Sequence, residues 1–591
     1  MRARVAAAVT AACLGALMTG CVSVPTTGPV VSVEQAPSDE AEGVNIPTGP
    51  VPGSSPSVIV SDFLDAMEAY PVSTTVAAQF LTAEAAQRWR PGRGTVVYDE
   101  RATSELSHGT VSLEVDQRVR LTGRGTYRPV RSGPGLHQEL FSLVRVDGEW
   151  RIANPPDRLY IRSYFFERYF ARFDLYFLDP TREALVADPV FLPIGDQLTT
   201  ELVRGLIAGP TGWLGPQAAT SLPDSAQIEV SVPLRDDGVA EVHLSAAAAE
   251  LSDRQQQALS AQLVWTLRQV AGVEALRITA DGTPLGIGGA DDLQPVDAWP
   301  QYDPSGPSSR DHLFALDRGG VLTEAGENGP VDGSWGRRRL SDFGIDPYVQ
   351  QVAGVDQTGR FLVAGPLTVT EPSLTTRRYT SAGRLTDPQW DRTGLLWVLD
   401  HVGADTSWVV VGEKTRTTLP VGALGRARVG HLAVSPDGAR VAALVRQWDG
   451  PVWGGGRISG PCVVIARVVR GADGRVVRRL DHEYALRIPG LEVRQLRDLA
   501  WSTPSSVVVL ADVAPLPPQP LELAIDGSSV VGGPESTDDL LAELGGVTLA
   551  SAGVADALTV VGTRAGKLWA LGSDGHWSVL ETGLFRPHYP G

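Results

Sequence analysis

Cysteine is scarce in this sequence of 591 residues, which contains three of them. Cys13 and Cys21 lie within the first 21 residues, and Cys462 stands alone in the remainder of the chain. A single cysteine cannot form a disulfide within one chain. The domains must therefore be large enough to be stabilised by burial of their own hydrophobic cores.

Positive charge is also in short supply. The 51 lysine and arginine residues face 68 aspartate and glutamate residues, which gives a formal net charge of −17. Only Lys414 and Lys567 are lysines, so arginine carries nearly all of the positive charge. Non-specific binding of nucleic acid needs a basic surface, and attraction to anionic lipid headgroups needs a polybasic segment. The composition argues against both.

Motifs of the common catalytic and metal-binding sites are absent as well. The chain has no Gly-x-Ser-x-Gly, His-Glu-x-x-His, Gly-x-x-x-x-Gly-Lys or Cys-x-x-Cys pattern. Its nine histidines are scattered without the spacing of metal ligands. The carboxylate pairs Asp291-Asp292 and Asp538-Asp539 fall in predicted loops, where such pairs are usually solvated. We therefore predict no catalytic residue, no metal site and no cofactor.

The beginning of the chain has the pattern of a secretory leader. Arg2 and Arg4 supply a basic start, and an apolar run from Val5 to Leu17 follows. A basic start, a short apolar core and a small-residue exit are typical of a signal peptide, whereas a membrane-spanning helix needs about 20 apolar residues. We predict that residues 1–20 are a signal peptide.

The end of this leader, Leu17-Met18-Thr19-Gly20-Cys21, resembles the lipobox of bacterial lipoproteins. The resemblance implies cleavage before Cys21 and attachment of a diacylglycerol to its sulfur. An ordinary signal peptide followed by a chance cysteine is the alternative. Residues 21–56 are rich in proline and predict a tether without a core of its own. The lipid would anchor the protein to the extracytoplasmic face of the cell membrane.

Residues 57–184 predict a small α+β domain. One helical face is formed by the spacing of Val60, Phe63, Leu64 and Met67. A second helix is predicted over residues 75–88, and antiparallel strands follow. The strand at 139–146 ends at Asp147-Gly148, which is a strong hairpin signal. In outline, helices followed by antiparallel strands resemble the nuclear-transport-factor-2-like fold.

Residues 185–300 resemble the GerMN domain, with a predicted element order of α-β-β-α-β. The motifs that carry the resemblance are Gly209-Pro210, Leu222-Pro223, Val242-His243-Leu244-Ser245, Leu263-Val264-Trp265-Thr266-Leu267, Gly272-Val273 and Asp281-Gly282-Thr283-Pro284. The resemblance implies a non-catalytic module for assembly or binding.

Residues 301–591 predict an all-β domain with weak repeats. Short apolar strands follow three similar turns, at Val355–Gly359, Trp390–Gly394 and Val434–Gly438. All-β repeats of roughly 40–45 residues are typical of a β-propeller, and the length allows five or six blades, or seven compact ones. Leu313–Asp317 and Leu568–Gly572 look alike, as expected where a ring closes. A pair of β-sandwiches is the alternative.

The whole chain is thus predicted to be multidomain, with two small α+β domains followed by an all-β propeller. This order behind a lipobox and tether resembles the LpqB family of actinobacterial lipoproteins. The resemblance implies a non-enzymatic accessory of the MtrA–MtrB two-component system. Such a protein binds the extracellular domain of the sensor kinase MtrB and modulates signalling that governs cell-wall homeostasis and division.

The residues alone leave other functions open: a protein that binds or hydrolyses peptidoglycan or another cell-wall component on its propeller, or a structural spacer. Acidic and polar residues lining the channel mouth would favour the wall ligand. An apolar, neutral channel with an exposed patch elsewhere would favour protein docking. Trp448 and Trp453, in a long predicted hairpin, are candidates for an exposed aromatic anchor at such an interface.

Replacement of Cys21 by alanine should release the protein from the membrane fraction and abolish its labelling by palmitate, because the lipid has no sulfur to join. Cell fractionation combined with metabolic labelling measures both effects. Cys462→Ala is the control and should keep the label. A Cys21→Ala protein that remains labelled in the membrane fraction would contradict the lipobox assignment.

Overall fold

The computed structural model describes residues 47–591 except for the following stretches: 131–136, 224, 226, 229–230, 286, 288–291, 308–310, 328, 369–374, 489–490, 514–517, 529–544, 555–556 and 573–575. The predicted signal peptide, Cys21 and most of the tether lie outside the described residues. So do Asp291, Asp538 and Asp539. In the part of the chain that the structure describes, no helix is long and apolar enough to cross a membrane.

The first domain begins with helix α1 (Pro56–Asp65). Val60, Phe63 and Leu64 are fully buried along one face, as their helical spacing predicts. Pro56 occupies the first turn, where a missing N–H leaves no hydrogen bond unmade.

The single helix predicted over residues 75–88 is wrong. A 3-10 turn (Ala77–Phe80) is followed by a separate short helix, α2 (Ala83–Arg88). Between them, the Thr82 side chain accepts a hydrogen bond from the Ala85 N–H at 3.1 Å. This N-cap starts a new helix rather than continuing the old turn.

A curved sheet covers these helices. Its strands are β1 (Gly94–Ser107), β2 (Thr110–Thr122), β3 (Tyr127–Pro129), β4 (His137–Val146), β5 (Glu149–Ile152) and β6 (Leu159–Arg162). Their order is β5-β4-β2-β1-β6, with β3 beside β2. The predicted turn joins β4 to β5, and both Asp147 and Gly148 have the positive φ of a type I′ turn. The likeness to the nuclear-transport-factor-2-like fold stays a prediction.

Helix α3 (Ser163–Tyr169) leads into the second domain. The elements of that domain are β7 (Phe170–Leu178), β8 (Leu185–Pro193), α4 (Leu198–Ile207), β9 (Val239–Leu244), α5 (Asp253–Leu267), β10 (Ala275–Ala280), β11 (Thr283–Pro284) and β12 (Leu293–Pro295). β9 runs parallel to β10, and β11 and β12 run antiparallel to it. The strand predicted near 228–232 lies partly outside the described residues, and Ile228 forms a single bridge to Leu244.

The hairpin of β7 and β8 belongs to the second domain. Phe177, Val186 and Val190 share one hydrophobic core with α4 and α5. The boundary predicted at residue 185 falls inside this hairpin, whose packing into the core of the second domain begins at Phe173; Phe170 packs with Phe165 and Phe166 of the first domain. The hairpin precedes every motif that identified the second domain, so the sequence pattern did not include it.

The remainder of the chain is built from antiparallel strands. They are β13 (Phe314–Asp317), β14 (Leu322–Glu324), β15 (Leu340–Ile345), β16 (Gln351–Asp356), β17 (Phe361–Pro366), β18 (Thr376–Thr380), β19 (Arg384–Trp390), β20 (Leu396–Val402), β21 (Asp405–Val411), β22 (Arg416–Thr418), β23 (Val429–Val434), β24 (Arg440–Val445), β25 (Cys462–Arg470), β26 (Val477–Leu486), β27 (Val493–Thr503), β28 (Ser506–Val513), β29 (Gln519–Ala524), β30 (Gly546–Ala550), β31 (Thr559–Thr563), β32 (Lys567–Leu571), β33 (Trp577–Thr582) and β34 (Leu584–His588).

Over the described residues these strands make the six blades of a propeller. The sheet orders are β14-β13-β34, β15-β16-β17-β18, β19-β20-β21-β22, β23-β24-β25-β26, β27-β28-β29 and β30-β31-β32-β33. The inner strands, each beside the next around a closed ring, are β15, β19, β23, β27, β30 and β34.

Both ends of the domain close the ring. β34, at the C-terminus, pairs with β13, at the start of the propeller. The sequence predicts closure through Leu313–Asp317 and Leu568–Gly572, and only the first of these segments takes part. The second forms β32 in the neighbouring blade, because alternating apolar residues mark any blade strand equally well.

The three predicted repeat turns are not equivalent. The turns at Asp391 and Asp437 join the first and second strands of their blades, whereas the turn at Asp356 joins the second and third. In each, a carboxylate oxygen accepts a hydrogen bond from the N–H two residues further on. Such turns close any hairpin. The motif therefore indicates hairpins but does not give the register of the blades.

A buried arginine joins the propeller to the second domain. Arg440 is fully buried and donates hydrogen bonds to Oδ2 of Asp437 at 2.8 Å and to the backbone oxygen of Ala187 in β8. Its guanidinium carbon lies 5.1 Å from the ring centre of Trp213, in the second domain. One cation thus holds a carboxylate, a carbonyl and an aromatic ring together across the boundary.

Other arginines repeat this arrangement. Arg467 donates to the backbone oxygens of Trp213 and Leu214 at 2.7 and 3.0 Å. From the opposite side, Arg172 of β7 lies 3.0 Å from Oδ2 of Asp526 and donates to the Ser505 backbone oxygen at 3.0 Å. The planar guanidinium has five donors, so one side chain can satisfy groups on both domains.

Arg440→Leu should lower the free energy of unfolding by about 3–5 kcal/mol, because it leaves the Asp437 carboxylate buried without its partner. Urea unfolding followed by tryptophan fluorescence measures the effect. Arg204→Leu is the matched control: Arg204 pairs with Glu201 at 2.6 Å on the exposed surface, where such a pair contributes about 1 kcal/mol or less. Equal unfolding midpoints for the two variants would refute this account.

Candidate functional site

Polar side chains from all six inner strands line one cavity in the propeller channel. We call these residues the channel ring: Asp342, Asp387, His431, Asp498, Thr548 and Arg586. Each comes from a different blade. The fold, rather than any short motif, brings them together.

A shift in strand register recurs beside each ring residue. In every blade, the register between the inner strand and the second strand shifts next to the ring residue. Asp387 and Arg586 also have positive φ values of 53° and 52°. Bulges of this kind increase the local twist and redirect a side chain. They account for the polar residues that interrupt otherwise apolar inner strands.

The ring residues contact one another around the channel. Nδ1 of His431 lies 3.0 Å from Oδ1 of Asp387 and 3.7 Å from Oδ1 of Asp498. Arg586 Nη1 lies 3.4 Å from Oδ1 of Asp342. These pairs all join neighbouring blades, so the ring connects inner strands that share few backbone hydrogen bonds.

The electrostatics of the ring centre on His431. Burial alone would lower its pKa, but attraction to Asp387, a hydrogen bond to Asp387 and attraction to Asp498 outweigh burial and raise the pKa to about 9. Burial would raise the pKa of Asp387, and His431 reverses this and lowers it. Burial dominates at Asp498 and raises its pKa to about 6. Burial raises the pKa of Asp342 as well. At neutral pH the ring therefore holds an imidazolium beside the ionised carboxylate of Asp387.

The cavity above the ring has a volume of about 510 Å³. This lies within the usual range of small-molecule sites, about 300–1,000 Å³. Its walls are lined by small or rigid residues: Ala433, Ala500, Ala550, Pro347, Pro388, Pro436 and Pro587. Larger apolar side chains, including Trp390 and Tyr589, complete the lining. The cavity is a space with apolar walls and a charged ring.

The channel is therefore charged rather than neutral, which is the feature expected for a wall ligand. No group of three or more histidine, cysteine, aspartate or glutamate side chains among the described residues is arranged to hold a metal ion. No motif recognised in the sequence predicted the ring. The inner strands repeat a tripeptide of one polar, one apolar and one small residue, as in His431-Leu432-Ala433, Asp498-Leu499-Ala500 and Thr548-Leu549-Ala550. This repeat is the sequence signal that could have located the ring residues.

Neither tryptophan proposed as an exposed anchor is exposed. Trp448 is 7% exposed, and its indole N–H donates to the Pro451 backbone oxygen at 2.8 Å. Trp453 is half-buried and donates to the backbone oxygen of Tyr127, in the first domain, at 3.1 Å. The expectation of exposure is therefore wrong for both residues. Trp448 packs in the core of its own propeller blades, and the first domain covers Trp453, a contact that the sequence does not reveal.

Three family models match the chain in succession. The first, the lipoprotein LpqB N-terminal domain, matches residues 49–167. The second, a sporulation and spore germination domain, matches residues 174–286, close to the boundary that the packing gives. The third, the lipoprotein LpqB beta-propeller domain, matches residues 319–590. The chain thus carries the N-terminal and beta-propeller domains of LpqB lipoproteins, with the sporulation and germination domain between them.

Curated LpqB proteins resemble the chain along most of its length. Lipoprotein LpqB of Thermobifida fusca is 28% identical over 79% of this chain and 82% of its own. Lipoprotein LpqB of Streptomyces coelicolor is 27% identical over 97% of this chain and 96% of its own. The Nocardia farcinica protein is 29% identical over 74% and 76%. All three are named as lipoproteins.

Solved structures show likeness to parts of this chain. The first GerMN domain of the sporulation protein GerM from Bacillus subtilis is 22% identical, covering 21% of this chain and 97% of its own, with a TM-score of 0.18. TolB from Acinetobacter baumannii is 12% identical, covering 58% and 86%, with a TM-score of 0.33. Neither carries an argument about function.

The elevated pKa of His431 predicts that the stability of the protein depends on pH. A pKa raised from about 6.5 in the unfolded chain to about 9 in the fold gives stability that is full below pH 6.5 and is lost as the pH rises through 9. Urea midpoints between pH 6 and 10 should therefore fall more steeply in the wild type than in His431→Gln. Parallel profiles would show that the imidazolium does not stabilise the ring.

Proposed function

We propose that this protein is a lipid-anchored, extracytoplasmic accessory protein without catalytic activity. It binds the extracellular domain of an MtrB-type sensor histidine kinase and modulates MtrA–MtrB signalling in cell-wall homeostasis and division. Support for the anchor comes from the lipobox at Cys21 and from relatives named as lipoproteins. The kinase partner rests on the family resemblance.

An exposed apolar face on the first domain carries the docking part of the proposal. Along β4, Leu140, Val144 and Val146 are 50%, 45% and 42% exposed. The alternate residues Phe141 and Leu143 are buried. Because successive side chains of a strand point to opposite faces, the three exposed residues share the outer face of the sheet. Apolar side chains grouped on one surface are typical of interaction sites.

The domain contacts hold this face in place. Arg124, in the first domain, donates to the backbone oxygens of Pro210 at 3.0 Å and of Gly209, both in the second. Trp453 of the propeller meets the same segment of the first domain, with Arg128 5.2 Å from its ring centre. The outer face of β4 is therefore presented by one connected body, so little order is lost on docking.

The proposed mechanism is a shift of a conformational equilibrium. Anchoring in the same membrane raises the effective concentration of the lipoprotein near the kinase, so a weak interface suffices. If the β4 face binds one conformation of the sensor domain more tightly than another, it shifts the population toward that conformation by the difference in affinity.

Binding of a cell-wall component remains the second candidate, and the charge of the channel ring favours it. The channel and the β4 face are different surfaces. A protein that docks through one could bind a ligand through the other, so the test of docking must leave the channel intact.

The double variant Leu140→Asp, Val144→Asp should weaken binding to the purified sensor-kinase extracellular domain at least tenfold, because it places charge in an apolar interface. Biolayer interferometry with the mature lipoprotein in detergent measures the affinity. Its thermal unfolding should be unchanged, since both side chains point outward.

The matched control is Val402→Asp. Val402 is also 45% exposed, but it lies at the end of a propeller hairpin. The control should bind as the wild type does. Equal binding by the wild type and the double variant would show that the β4 face is not part of the interface. No binding of the kinase domain by the wild type would refute the kinase as a partner.

A further inference from the structure

Most carboxylate oxygens of the channel ring are already engaged. Oδ2 of Asp342 accepts a hydrogen bond from the Asp387 N–H at 3.0 Å, and Oδ2 of Asp498 accepts one from the Leu549 N–H at 2.8 Å. Oδ1 of Asp387 faces His431, while its Oδ2 has no partner among the described residues and almost no accessible surface. These acceptors hold adjacent blades together and present little to the cavity.

The cations of the cavity have donors to spare. The Arg586 side chain is 40% exposed, and its one ion pair among the described residues is the 3.4 Å contact with Asp342. Arg564 lines the same cavity, is exposed, and has no hydrogen bond or ion pair within the described part of the chain. The other positive groups of the lining are His431, one-third exposed, and Arg392, whose Nη1 donates to the Asp303 backbone oxygen at 3.3 Å. The charged groups that keep hydrogen-bonding capacity toward the cavity are therefore mainly arginine donors, while the unpaired Oδ2 of Asp387 has almost no accessible surface.

The topology places Arg564 at one end of the channel. Arg564 follows β31, in the turn to β32, whereas Gly553 lies in the turn from β30 to β31. Successive turns of an antiparallel sheet lie at opposite ends of it. Gly553 lines the cavity together with Ser305 and Pro307, which belong to the connection from the second domain. Arg564 therefore marks the end of the channel away from that domain.

We propose that the propeller channel is a binding site for a small organic anion, whose carboxylate or phosphate group is held by Arg564 and Arg586 and whose body packs against the apolar walls. Guanidinium groups suit both kinds of anion because their paired N–H donors match two oxygens at once. A cationic ligand would find carboxylates whose oxygens are mostly engaged already. This inference does not depend on docking to the kinase.

Calorimetry on the mature lipoprotein in detergent tests the proposal with four probes. N-acetyl-dialanine presents a carboxylate without an ammonium group, and glycerol 3-phosphate presents a phosphate. N-acetyl-dialanine amide is the neutral match of the first probe, and dialanine amide is a cation. At least one anion should bind at least tenfold more tightly than either amide. The carboxylate and phosphate arms distinguish the two sources of the anion.

Three variants test whether the anion binds in the channel. Arg564→Gln and Arg586→Gln should each weaken binding of the anion at least tenfold, and Ala500→Leu should weaken it by filling the cavity without changing its charge. Arg475→Gln is the matched control, since Arg475 is equally a surface arginine, 71% exposed and only 3.9 Å from its partner Glu183. The control should bind as the wild type does.

Two results would overturn the proposal. One is the absence of anion binding up to about 10 mM, beyond which an affinity is too weak to indicate a specific site. The other is binding that Arg564→Gln and Ala500→Leu leave unchanged, which would place the anion outside the channel. Because Arg564 is exposed, its variant should fold normally, and a wild-type thermal midpoint for it confirms that any loss belongs to the site.

Discussion

The structure depends on buried guanidinium groups that cross from the propeller to the second domain. Arg440 shows why: it is fully buried, and its partners Asp437 and Ala187 lie on opposite sides of the boundary. Separation of the domains would break the hydrogen bond of Arg440 to Ala187 and its contact with Trp213, whereas its pair with Asp437, within the propeller, would persist. A hydrogen bond to a charged group contributes about 1.5–3 kcal/mol. A chain whose one remaining cysteine cannot form a disulfide thus joins its domains by charge and hydrogen bonds.

The same physics operates inside the propeller. Blades bury their faces against one another, but their inner strands meet around an open channel where no sheet is continuous. The channel ring joins those strands, with His431 placed between Asp387 and Asp498. The carboxylates are used for this purpose, and the arginines keep free donors. Because the carboxylates bind neighbouring strands, the groups left to bind a ligand in the cavity are mainly arginine donors, which suit an anion.

Features set by neighbours in sequence could be predicted, and features set by distant contacts could not. Helix α1 and the Asp147-Gly148 turn follow from local spacing and backbone conformation, and the GerMN motifs located α4 to β10. Trp453 was misjudged because the first domain that covers it lies over 300 residues earlier. The ring was missed because its members come from six blades, and their repeat of polar, apolar and small residues is weak. Turn motifs such as the one at Asp356 indicated hairpins without giving blade register.

Amide hydrogen exchange on the mature lipoprotein tests the central claim, that the propeller and second domain open together and not separately. The peptides to compare cover β8, which contains Ala187, and β24, which begins at Arg440. If the arginine joins them, β8 should exchange as slowly as β24, because opening of the junction exposes a buried charge. Fast exchange of β8 beside a protected β24 would show that the second domain opens on its own and would contradict the account.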